Sequence, residues 1–154
     1  SFDLSQILDR SLVKPIDLKV QLWQSFVLKE KAFRSWIRDH QWQDYSGKVV
    51  HLYCSSDAII PTWAYMLVTS ALIPYTPHVV IGTERDVEHE LVKIALRSLD
   101  MKAMEGQRVI VKGCAQLLDQ ETALSQIVLT LQPVVKSLMF GEPCSTVPIF
   151  KRNV

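Results

Sequence analysis

Three cysteines in 154 residues are too few, and odd in number, for the disulfide framework of a small secreted domain. Charge of one sign is equally scarce, with seventeen Lys and Arg against sixteen Asp and Glu and a net charge of +1. A nucleic-acid or membrane-surface binder draws on excess positive charge to displace counterions, so neither partner is expected. No basic leader followed by an apolar stretch opens the chain, and Ser1 in place of methionine points to trimming. The expected compartment is the cytoplasm, where each cysteine is a thiol. Also missing are a C-x-x-C pair, an H-E-x-x-H motif, a phosphate-cradling glycine loop and a Ser/His/Asp order.

A hydrophobic content of 48% with 21% charged residues excludes disorder, collagen and coiled coil. The length fits a single α/β domain over 1–154, with 1–20 as an irregular or edge-strand lead-in around Phe2, Leu4, Ile16 and Leu18. From Ala58 to Thr83 no charged residue occurs, counting His78 as neutral. Pro61, Pro74 and Pro77 interrupt the stretch, leaving Thr62 to Ile73 as its longest proline-free piece. That is too short to span a membrane and suits a helix buried on nearly all sides or shared across a dimer interface.

Apolar residues at Leu22, Trp23, Phe26, Val27, Phe33, Trp36 and Ile37 predict a first helix over 21–40. Lys48 to Cys54 reads as a strand, and Ser55-Ser56-Asp57 offers cap oxygens to a helix from Pro61 to Ile73. His78 to Gly82 is a second strand. Thr83 with Asp86 forms a capping box for the next helix. Arg108 to Lys112 is a third strand, closed by Gly113-Cys114. Asp119 caps a long last helix whose stripe runs from Leu124 through Leu138 and Met139, with Pro133 kinking it and Gly141 stopping it. Val147 to Lys151 completes the pattern as a terminal strand. Strands alternating with helices, the central ones continuously apolar, predict a three-layer α/β/α sandwich with a mostly parallel sheet of four to five strands.

Ligands of such sheets collect beyond the carboxyl ends of the strands. Cys54, Ser55, Ser56 and Asp57 fall there, as do Thr83 and Cys114. A thiol beside a helix N-terminus ionises more readily, and the thiolate is both nucleophile and metal ligand. The competing reading is that a cysteine ending a strand simply packs. With Cys144, three thiolates and one further ligand would make a tetrahedral zinc site or hold an iron–sulfur cluster. Against that, the cysteines are spaced by 60 and 30 residues. A helix over 120–139, about 30 Å long, would also carry Cys144 to the opposite end of the sheet from Cys114, unless Pro133 folds it back or another subunit supplies the partner. His40 at a helix end reads as a cation facing the helix dipole, and His89 reads as solvated. Trp23 and Trp36 read as core.

The stretches Cys54-Ser-Ser-Asp-Ala-Ile-Ile-Pro-Thr-Trp-Ala-Tyr-Met66, Val-Lys-Gly-Cys114 and Met139-Phe-Gly-Glu-Pro-Cys-Ser-Thr-Val-Pro148 resemble those of a bacterial family, domain of unknown function number 2480. The resemblance runs from about Gln21 to Arg152 and implies an N-terminal lead-in longer than this chain's. The family has no established activity, so no catalytic residue is carried over. The resemblance implies partners in iron–sulfur cluster assembly. The leading expectation is a homodimeric thiol- or metal-handling accessory protein. In it Cys54, Cys114 and Cys144 are ligands or sulfur carriers, and Ser55, Ser56, Asp57 and Thr83 shape the pocket. The alternative is a non-catalytic oligomeric binding or scaffold module with structural cysteines. A third reading is an enzyme binding a small anion at Ser55-Ser56-Asp57.

Overall fold

The run Val49-Val-His-Leu-Tyr53 forms β2, whose Val49, Val50 and Leu52 are fully buried. A strand covered on both faces favours such a run of β-branched and aliphatic residues. In the computed structural model, which describes residues 1–153, β2 is the middle of a three-stranded parallel sheet. β1 (Val13–Asp17) pairs with it from Val13↔Val49 to Asp17↔Tyr53, and β3 (Val79–Ile81) from Val50↔Val79 to Leu52↔Ile81. The crossovers contain α1 (Glu30–Asp39) and α2 (Thr62–Leu72), the β-α-β-α-β connectivity a parallel sheet needs. Phe33, Trp42, Leu52, Val68 and Leu72 form the core of this first unit, residues 10–87.

The second unit joins residues 1–9 to residues 88 onward, the division falling within α3 (Glu84–Arg97). After the short α4 (Met101–Met104) come β4 (Arg108–Val111), α5 (Gln120–Leu131), β5 (Ser137–Glu142) and β6 (Ser145–Lys151). β4 and β5 are parallel, while β5 and β6 form an antiparallel hairpin with an irregularity at Leu138/Met139. Phe2 extends this sheet on the other side of β4, its N–H donating to the Ile110 carbonyl and its carbonyl accepting from the Lys112 N–H. Val92, Val109, Ile127, Leu131 and Leu138 are among its buried core.

The α/β class is as expected, but the single sheet of four to five mostly parallel strands is not: the described residues form two three-stranded sheets. β3 is only three residues long and is an edge strand, while β4 takes Phe2 and β5 as neighbours. Two helices also differ from the periodicity. The first begins only at Glu30, because Gln24 and Ser25 sit at φ of 49° and 67° in a left-handed turn closed by Trp23 and Val27. Trp23 is consequently exposed, with the Lys29 ammonium 4.3 Å from its ring centre, while Trp36 packs against the core. The last helix ends at Leu131. Pro133 has no N–H to continue it, and the Val134 and Val135 amides both return to the Leu131 carbonyl. Leu138 and Met139 then belong to β5.

Nor do Ser55, Ser56 and Asp57 cap α2; its N-cap is Pro61, with no side-chain hydrogen bond. Thr83 and Asp86 do form the capping box, and Asp119 caps α5 through the Thr122 N–H. No described helix is long and apolar enough to cross a membrane.

Candidate functional site

The parallel strands of the first unit all point their carboxyl ends to one edge. There the sheet presents Asp17 as the last residue of β1, Cys54 to Asp57 after β2, and Gly82-Thr83 after β3. Each hydroxyl expected to meet a ligand donates within the chain. Ser55 gives its O–H to Asp17 at 2.6 Å and its N–H to the same carboxylate at 3.1 Å. Ser56 donates to the Ser25 carbonyl at 2.6 Å, tying the turn after β1 to the loop after β2. Thr83 gives both N–H and O–H to Asp86. Gly82, at φ of 149°, leaves room for that carboxylate, which a Cβ would strike. Asp57 is exposed.

Burial pushes the Asp17 carboxyl up, but the Ser55 hydroxyl, the Lys19 and Ser55 amides and the Lys19 charge outweigh it. They hold the group below the ordinary aspartate value. Cys54 is half-buried against the core, its thiol donating weakly to the Ser56 carbonyl at 3.7 Å. It also lies near Tyr65 of α2, whose phenol is raised by burial and then by this thiol.

In the second unit, ending α5 at Leu131 changes where Cys144 falls. The chain returns as β5 parallel to β4, so the turn holding Cys144 follows the same end of the sheet as Cys114, not the opposite end. A 4.0 Å contact between Lys112 and Glu142 links those two strand ends. Cys114 is buried, its amide donating to the Gln120 side chain, whereas Cys144 is exposed. Among the described residues, no three His, Cys, Asp or Glu side chains form a group that could hold a metal ion.

The second unit also contains a polar cluster that periodicity did not reveal. Glu88 is 1% exposed, and its two oxygens accept the Leu118 and Asp119 N–H groups at 2.9 and 3.0 Å, fixing the start of α5. The neighbouring His89, expected to be solvated, is instead half-buried and places Nε2 2.9 Å from Asp119. These residues, with Val92, Lys93 and Thr122, line a cleft of about 190 Å³. One signal was present: Glu88 lies four and seven residues before Val92 and Ala95, on the buried stripe of α3. A carboxylate in that row must meet donors inside the protein. His40 likewise departs from expectation. Its Nε2 meets the Tyr45 hydroxyl at 2.8 Å among Trp36 and Trp42, and burial lowers its pKa, the opposite of what a dipole-held cation requires.

No curated protein and no solved structure matches the chain. The model of one family, described as "Protein of unknown function (DUF2480)", matches residues 1–152, nearly the whole length. The resemblance carried by the Cys54–Met66 and Met139–Pro148 stretches is thus extended through the N-terminal residues, and the chain belongs to the DUF2480 family.

Proposed function

We propose that this protein is a non-catalytic binding module that self-associates through the charge-free segment of its first unit. One observation carries the reading. Between Ala58 and Thr83 no side chain is charged, yet the segment is not simply internal: Ile59 is 92% exposed, Met66 and Ile73 are each 70% exposed, and Tyr75 and Ile81 are exposed as well. α2 buries Ala64, Val68 and Leu72 on one side and turns Thr62, Met66 and Ser70 to solvent on another. Interface cores are where charge is depleted and Met and aromatic residues are enriched, whereas a monomer seldom leaves such a surface bare. β3, at the edge of its sheet, adds backbone groups that a second strand could pair. Substitution of Met66 and Ile73 by aspartate, read by sedimentation, tests the reading, since neither side chain supports the core.

A second reading keeps the thiols, as an accessory role in iron–sulfur assembly. Its support is the exposure of Cys144 on the β5–β6 turn and the position of Cys114 after the same end of the sheet. Because the described residues offer no three-ligand metal group, the reading rests on sulfur chemistry at Cys144 rather than on a resident zinc or cluster. Alkylation of the folded protein tests it: Cys144 should react fast and Cys114 slowly, and an added small-molecule persulfide should exchange its outer, sulfane sulfur onto the Cys144 thiolate and leave as its thiol. Failure of Cys144→Ser to alter that exchange removes the reading.

A further inference from the structure

Four large apolar side chains of the second unit are exposed, and two of them, Leu129 and Ile149, line clefts along α5 and the sheet edge beside it. Two adjoining clefts lie there. The first, about 260 Å³, runs between α5 and the sheet and includes Leu124, Ile127, Leu138, Phe140 and Ile149 in its walls. Every side chain lining it is a hydrocarbon, an aromatic ring or a thioether. The second, about 340 Å³, is lined by Val128, Leu129, Gln132, Pro133, Phe150 and Arg152. Val128 belongs to both, and the consecutive β6 residues Ile149 and Phe150 line one each. From Leu124 to Gln132 the groove follows α5 for about 12 Å.

The two ends differ in chemistry. Water needs two to four polar partners, and the side chains of the first cleft supply none, so its natural occupant is apolar. At the other end Arg152 is the single charged lining residue. Nη2 donates to the Gln132 and Pro133 carbonyls at 2.9 and 3.2 Å and Nε to the Val135 carbonyl at 3.3 Å, while the guanidinium lies 5.3 Å from the Phe150 ring centre. Carbonyl partners fix a guanidinium without cancelling its charge. With Nε and Nη2 engaged by these carbonyls, Nη1 is the edge of the guanidinium left to donate to a carboxylate.

We propose that this groove binds a single-chain anionic amphiphile of the fatty-acid class, with its alkyl chain between α5 and β5–β6 and its carboxylate at Arg152. This site belongs to the second unit, whereas the proposed self-association surface belongs to the first.

The test uses the full chain and three probes kept below micelle formation: decanoate, decyltrimethylammonium with the same tail and opposite head, and acetate with the head alone. Methyl NMR should show saturable decanoate shifts centred on Leu124, Val128 and Ile149, and none with acetate. Decyltrimethylammonium should bind roughly threefold to fivefold more weakly, the difference one exposed ion pair makes. Ile149→Trp, at an exposed edge position, should fill the first cleft and abolish binding with the fold intact by circular dichroism. Arg152→Gln should remove the preference between head groups, and Arg152→Lys should keep part of it. Equal affinity for both head groups, shifts spread over the whole chain, or unchanged binding by Ile149→Trp would overturn the proposal. So would a dimer that Ile149→Trp converts to monomer, which would assign the groove to a second copy.

Discussion

Asp17, at the carboxyl end of β1, accepts both the amide and the hydroxyl of Ser55, at the carboxyl end of β2. Two residues 38 positions apart thus latch adjacent parallel strands where each leaves the sheet. Ser55→Ala should cost about 1 kcal/mol in urea unfolding, and Asp17→Asn a similar amount. The pH dependence has a definite sign. Because the folded carboxyl is held below 3.8, its stabilisation is complete above that value and is lost as pH falls through the lower folded value. A carboxyl titration by NMR should place the Asp17 midpoint below 3.8, and Ser55→Ala should raise it.

Glu88 holds the loop before α5 through two backbone amides while almost fully buried. Glu88→Ala leaves both donors without this partner and should destabilise by about 2–4 kcal/mol in chemical denaturation. Glu88→Gln keeps one acceptor but turns an NH₂ toward the second amide, so its cost should fall between wild type and alanine.

His40 titrates below 6.5, chiefly because burial penalises the charged ring and then because Lys14 repels it, with Asp44 opposing. A folded pKa below the unfolded one means that the unfolded chain binds more protons as pH drops through 6.5 toward the folded value. Stability from this site should be complete above that range and fall with acidification through it. Thermal unfolding between pH 7 and 5 should show a smaller loss in His40→Gln than in wild type.

Gly141 lies in β5 at φ of 123°, and a Cβ there would come within 2.6 Å of the Ser145 carbonyl oxygen across the hairpin. Backbone cannot swing aside as a side chain can. Gly141→Ala should therefore destabilise by roughly 1–3 kcal/mol, and hydrogen exchange should locate the loss at Ser145 to Val147.

Features written in adjacent residues were the legible ones. β2, α2 and the caps Thr83/Asp86 and Asp119/Thr122 are local patterns of propensity and side-chain chemistry, and the structure contains each of them. Features decided by distant partners were not. Leu138 and Met139 continue the spacing of α5, yet Pro133 ends the helix and β4 recruits them as a strand. Once that segment is a strand, Cys144 follows the Cys114 end of the sheet. Trp23 keeps helical register with Phe26 and Val27, but two left-handed residues turn the chain between them. His89 and Asp119 are 30 residues apart, and no local pattern announces such a pair. The serines do fall at the strand end, but their donation to Asp17 and Ser25 depends on a strand that the lead-in shows only as short apolar pieces and on a turn that periodicity merges into the first helix.

The proposed self-association joins two copies of the chain through uncharged, solvent-facing residues of α2 and its C-cap, Met66 and Ile73. Sedimentation equilibrium of wild type and of the doubly substituted Met66→Asp, Ile73→Asp chain, with circular dichroism to verify folding, measures it directly. Wild type should sediment at twice the 17.6 kDa protomer mass and the variant at that mass with unchanged secondary structure. A wild type that stays monomeric at high concentration, or a variant that remains dimeric, would contradict it.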